Sequence, residues 1–134
     1  MRVMLDTNIL ISAGLFAGKR TSHLALQIAE AYNIVLSSRI VDELWTVMEL
    51  KFSDRKSAIE RFLTSLSYEL AYTPSEIDEG IYPKIRDKKD YPNLASAIIA
   101  DVDVFVTGDK DFAGLDLPRP EILTISEFEE NTCN

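Results

Sequence analysis

A chain of 134 residues has room for one domain and one core. Its apolar content of 46% suits a folded globule, no apolar run approaches the length of a membrane span, and a single cysteine, Cys133, excludes a disulfide framework and a zinc–cysteine site. A net charge of -8, from 22 acidic and 14 basic residues, is at first sight the wrong sign for a nucleic-acid binder.

The first strand is expected at Val3-Met4-Leu5, a short apolar run bounded by polar residues. It opens almost at the N-terminus, so no signal peptide is expected and the cytoplasm is the inferred compartment. Thr21 or Ser22 can cap a helix through Leu24, Leu26, Ile28 and Ala29. Ile34-Val35-Leu36 reads as a second strand ending in Ser37-Ser38. A helix follows, with Ile40, Leu44, Val47 and Met48 on one face. Ser53 or Asp54 caps another, carrying Ile59, Phe62, Leu63 and Leu66. Tyr68 to Tyr72 alternates and stops at Pro74, as a third strand would. Glu76 to Ile85 fits no single element, and Pro83 limits any helix there. Pro92 suits the first turn of a helix through Leu94, Ala97, Ile98 and Ile99. Val104-Phe105-Val106 is the fourth strand and Ile122-Leu123 a fifth, after which Ser126 caps a short acidic helix. Strands alternating with helices imply an α/β fold, a parallel sheet covered on both faces.

In such a sheet ligands bind at the carboxyl ends of the strands. Asp6 and Asp109 each lie just past a buried strand, about a hundred residues apart. Brought into one crevice, two carboxylates repel unless a cation lies between them. Asp6, Thr7 and Asn8 also suit helix capping, and capping and metal binding can coexist because a carboxylate has two oxygens. On the second helical stretch Glu43 borders the apolar stripe while Asp42 points away, so Glu43 is the better candidate for a half-buried crevice. Asp90 precedes Pro92 at a helix start, where it could cap or face the same crevice. In Thr107-Gly108-Asp109-Lys110-Asp111 a glycine permits a tight turn, Thr107 offers a hydroxyl, and two carboxylates share one loop. Asp101 and Asp103, at the opposite end of that strand, read as solvated charges. His23, the only histidine, reads as a surface residue, and Trp45 and the tyrosines read as core or surface packing, not base-stacking platforms. Neither a nucleophile pair nor a glycine-rich phosphate loop is present. The basic residues are uneven: Lys84, Arg86, Lys88 and Lys89 crowd beside Asp90.

Together these features resemble the PIN-domain family of metal-dependent ribonucleases over nearly the whole chain. Val3 to Ser12 looks like the family's first motif, Ser37-Ser38 through Glu43-Leu44 its second, Arg86 to Asp90 with Leu94-Ala95 its third, and Val106 to Phe112 its fourth. Lys88 stands where a proline is common, and the glycine often found before the fourth strand is missing from Ala100-Asp101-Val102. The resemblance implies a single domain over residues 1–134, a three-layer α/β/α fold with a central parallel sheet of four to five strands. It implies that Asp6, Glu43, Asp90 and Asp109 hold one or two Mg²⁺ or Mn²⁺ ions, with Asp111 as a further candidate ligand. Thr7, Asn8 and Thr107 would orient those groups or position phosphate. The activity implied is endonucleolytic hydrolysis of RNA, with the Lys84 to Lys89 stretch and Lys110 steering its backbone. The subgroup most resembled is the toxin of prokaryotic toxin–antitoxin modules, which implies an antitoxin partner and a homodimer, with no membrane.

Two other readings compete. A PIN-like RNA-binding or scaffold module would keep the fold without catalysis. A haloacid-dehalogenase-like phosphatase also uses an aspartate after its first strand, but needs a second one two residues on, where this chain has Asn8.

Overall fold

Every strand pairing is parallel in the computed structural model, which describes residues 1–16, 18, 20–76, 91–108, 112 and 119–132. In chain order the elements are β1 (Arg2–Leu5), α1 (Thr7–Leu15), α2 (Arg20–Ala31), β2 (Asn33–Ser37), α3 (Ser38–Lys51), α4 (Lys56–Leu66) and β3 (Glu69–Ala71). Then come α5 (Tyr91–Ile99), β4 (Val104–Val106), β5 (Glu121–Leu123) and α6 (Ile125–Thr132). The strands lie in the order β3-β2-β1-β4-β5, with helices on both faces, giving three α/β/α layers. The chain steps outward from β1 to β3, then crosses back to place β4 on the other side of β1.

Burial explains the apolar runs. Val3, Met4 and Leu5 of β1, and Phe105 and Val106 of β4, are wholly buried, because central strands of a covered parallel sheet meet apolar side chains on both faces. The edge strands β3 and β5 are more exposed and their pattern is weaker.

Four local features differ from expectation. Helix α1 follows Asp6 immediately, and its Ile9, Leu10, Ile11, Ala13 and Leu15 are all buried. It lies among α2, α3 and α4, so it is apolar nearly all round and lacks the one-sided stripe that marks a surface helix. Gly14 makes this possible: a methyl group there would stand 2.5 Å from Ile59 Cδ1 and 3.2 Å from the Phe62 ring. Helix α2 begins at Arg20, not after a Thr21 or Ser22 cap; the buried Ser22 hydroxyl instead reaches the Ser12 and Phe16 carbonyls and ties α2 to the end of α1. Helix α6 is capped by Thr124, not Ser126. The Thr124 Oγ1 accepts the Glu127 N–H at 3.1 Å and Glu127 Oε1 accepts the Thr124 N–H at 3.0 Å, a reciprocal capping box. Ahead of α4, neither Ser53 nor Asp54 caps by side chain; a 3-10 turn over Ser53–Arg55 leads in.

The amino edge of the sheet is closed by charge pairing. The Arg2 N–H donates to Asp103 Oδ2 at 2.8 Å, and its guanidinium donates to Glu69 at 3.0 Å and to the Ala100 carbonyl at 2.5 Å. Arg119 pairs with Asp101 at 2.7 Å and Asp103 at 2.9 Å. These two aspartates are therefore clamped by arginines and are not merely solvated. The backbone hydrogen bond from Arg2, with Arg119 beside it, holds the Asp103 carboxyl below its usual range.

Candidate active site

Strand order reverses between β1 and β4, and the crevice at such a reversal is where open α/β sheets bind ligands. Asp6 is the first residue past β1, and Thr107 the first past β4. Leu5 is in register with Val106, and the Asp6 N–H donates to the Val106 carbonyl at 3.2 Å. Thr107 is fixed in turn by its N–H, which donates to the Leu123 carbonyl at 2.9 Å. The Thr107 hydroxyl donates to Asp6 Oδ2 across the reversal. Asp6 Oδ1 accepts the Ile9 N–H at 3.0 Å, so Asp6 also caps α1. The capping reading and the site reading thus describe the same side chain. Asp6 is 9% exposed and Thr107 3%.

Glu43 joins this group from α3. Ser37 caps that helix by accepting the Ile40 N–H at 3.0 Å, which aims its first turns along the carboxyl edge of the sheet. The Thr7 hydroxyl donates to Glu43 Oε2 at 3.1 Å. Arg39 Nε donates to Glu43 Oε1 at 2.9 Å, one turn back on the same helix. A groove lined by Thr7, Asn8, Arg39, Asp42, Glu43 and Thr46 runs along this edge. Asp42 is exposed, as its angle on the helix requires.

The structure therefore sets the expected residues on one edge in two bonded pairs, Asp6 with Thr107 and Thr7 with Glu43, with Asn8 beside the second pair on the groove wall. Asp90, Asp109 and Asp111 lie outside the described residues, as do Asp87, Lys84, Arg86, Lys88, Lys89 and Lys110. Among the described residues no cluster of three His, Cys, Asp or Glu side chains is assembled.

The oxygens present suit a hard divalent cation. Asp6 Oδ1 accepts from an amide N–H and Oδ2 from a hydroxyl, and carboxylate oxygens are the ligand type such cations take. Among the described residues Asn93 Oδ1, in the first turn of α5, is buried with no hydrogen-bond partner. An orphaned buried acceptor costs about 1–3 kcal/mol, which a bound water would offset. Sequence reasoning passed over both Arg39 and Asn93. The four-residue spacing of Arg39 from Glu43 was a usable signal for the first; an asparagine within an apolar helical run was the only hint of the second.

The geometry defines an α/β protein with an oxygen-rich site at the reversal of its sheet. The family model of the PIN domain matches residues 2–111, and the chain belongs to that family. No curated protein matches the chain significantly by sequence. Among solved structures it is similar to VapBC2 from Rickettsia felis bound to a DNA fragment from their promoter, with a TM-score of 0.63 at 21% identity, over 92% of this chain and 97% of that one. It is also similar to Mycobacterium tuberculosis VapC20, a sarcin–ricin loop cleaving toxin, with a TM-score of 0.60 at 16% identity, over 85% of this chain and 96% of that one. At these identities the likeness is one of fold.

Proposed function

We propose that this protein is a divalent-metal-dependent endoribonuclease and the toxin of a toxin–antitoxin pair. The observation that carries the reading is the Thr107 hydroxyl on the Asp6 carboxylate, which joins the first and last family motifs across the sheet reversal. Asp6, Glu43, Asp90 and Asp109 would hold Mg²⁺ or Mn²⁺, with Asp111 as a further candidate. A bound ion of this kind supplies an acidified water and positive charge at the scissile phosphate.

The chain's own residues supply orientation. Thr107 and the Ile9 N–H fix both oxygens of Asp6, and Thr7 holds one oxygen of Glu43 toward the same crevice. Asn8 lies on the groove wall, where its amide can meet phosphate. The similarity to VapC20, a toxin that cleaves the sarcin–ricin loop, supports RNA as substrate. The similarity to VapBC2 supports an antitoxin partner. We further propose a homodimer acting in the cytoplasm.

Incubating labelled RNA with the purified protein, after checking that no inhibitory partner copurifies, tests the proposal. Cleavage is expected with Mn²⁺, is lost with chelator, and falls at least about 100-fold in Asp6→Asn, the order seen when a charge-stabilising group is removed. RNA that stays intact with Mn²⁺ and partner-free protein would overturn it.

A further inference from the structure

Tyr72 is an aromatic residue that the site just described does not use, and it stands on the same edge. Ala71, the last residue of β3, is in register with Ser37 of β2. Met4 pairs with Val35 two residues earlier, so Asp6, Ser37 and Ala71 fall in one row across the sheet. Tyr72 is one residue beyond that row. Its strand lies two spacings from β1, about 10 Å.

Despite its position next to a packed helix, the Tyr72 side chain is 78% exposed. Its backbone is held on both sides. The Thr73 N–H donates to Ser38 Oγ at 2.9 Å, and Thr73 Oγ1 accepts the Arg39 N–H at 3.1 Å. The Thr73 hydroxyl is also hydrogen-bonded to Ser96 of α5 at 2.8 Å. An exposed ring on a fixed backbone is a platform that loses little entropy on use. Between it and Glu43 lies Arg39, whose side chain is 47% exposed and directed along α3 to Glu43.

We propose that Tyr72 stacks on an unpaired base of the substrate RNA, next to the scissile phosphate, and that Arg39 contacts the phosphate between the two. The proposal rests on the ribonuclease reading above. A ring and a guanidinium on one edge of the sheet offer what single-stranded nucleic acid takes: the π-face accepts any base and the cation meets the backbone. The overall charge of -8 makes such local contacts necessary, because the chain as a whole repels RNA. A cation held by Glu43 would weaken its pairing with Arg39 and leave the guanidinium for phosphate.

The test uses the intact, partner-free protein and a random-sequence single-stranded RNA containing dispersed 2-aminopurine. Binding is read in chelator by fluorescence quenching, and cleavage in Mn²⁺. In Tyr72→Ala, Kd and KM are expected to rise about tenfold and the quench to disappear, with kcat within about twofold of wild type. Tyr72→Phe should match wild type, and neither change should move Tm, because the ring is exposed. If Tyr72→Ala binds and cleaves like wild type, the platform is refuted and the nuclease stands. If wild-type protein binds with a Tyr72-dependent quench yet cleaves nothing, the nuclease reading fails and the platform stands. Absence of any binding overturns the platform, and the nuclease falls with it only if Mn²⁺ also gives no cleavage. A Tyr72→Ala protein that loses only a protein partner assigns the ring to a protein interface and overturns the RNA proposal.

Discussion

Asp6 carries two tasks on two oxygens. One caps α1 and the other receives the Thr107 hydroxyl. Asparagine caps a helix nearly as well as aspartate, so Asp6→Asn should keep the fold and lose the charge. We expect Mn²⁺ to raise the Tm of the wild-type protein by several degrees, through binding to the folded state only. The same ion should leave Asp6→Asn nearly unmoved in differential scanning fluorimetry. At the other edge, Asp103 has a carboxyl pKa lowered by the Arg2 N–H. A lowered folded pKa gives stability that is present above the unfolded pKa, about 4, and is lost as pH falls through the folded value. Asp103→Asn should therefore be less stable than wild type at pH 7, with the gap closing below about pH 4, as followed by urea denaturation at each pH. Asp6 and Glu43 were legible because each follows from position alone, one past a buried strand and one beside an apolar stripe. Arg39 was signalled only by its four-residue spacing from Glu43, and Asn93 was not legible, since what marks it is a buried oxygen with no partner among the described residues.

Elements with a one-sided pattern were the readable ones. The stripe of Ile40, Leu44 and Met48 marks α3 because one face meets the core and the other meets water. Helix α1 escaped notice because it is enclosed and its sequence carries no such contrast. The caps of α2 and α6 were misplaced by one or more residues because several adjacent hydroxyls compete for the role, and only the backbone path decides among them. Packing of α1 on α4 gives a sharp test. Gly14→Ala gains up to about 1 kcal/mol of helix propensity, but its methyl group meets the fully buried Ile59. Overpacking costs about 1–3 kcal/mol, so the variant should be net destabilised by about 1 kcal/mol. Ile59→Val beside it should recover part of that loss, as chemical denaturation of the single and double variants would reveal.

For the whole molecule, sheet order decides where chemistry can occur. The alternation of strand-like and helix-like segments in the sequence implied a parallel sheet. Which strands flank β1 cannot be read from local pattern, because β2 and β4 are both short apolar runs. Only the crossover after β3 creates the reversal that sets Thr107 beside Asp6. The amino edge pairs Asp101, Asp103 and Glu69 with arginines, and at the carboxyl edge Arg39 pairs with Glu43 while Asp6 accepts from the Ile9 N–H and the Thr107 hydroxyl.

Through one side chain and one amide Arg2 fastens β3, the turn after α5 and the approach to β4. Arg2→Ala would release the first two together and leave the third held by the amide alone.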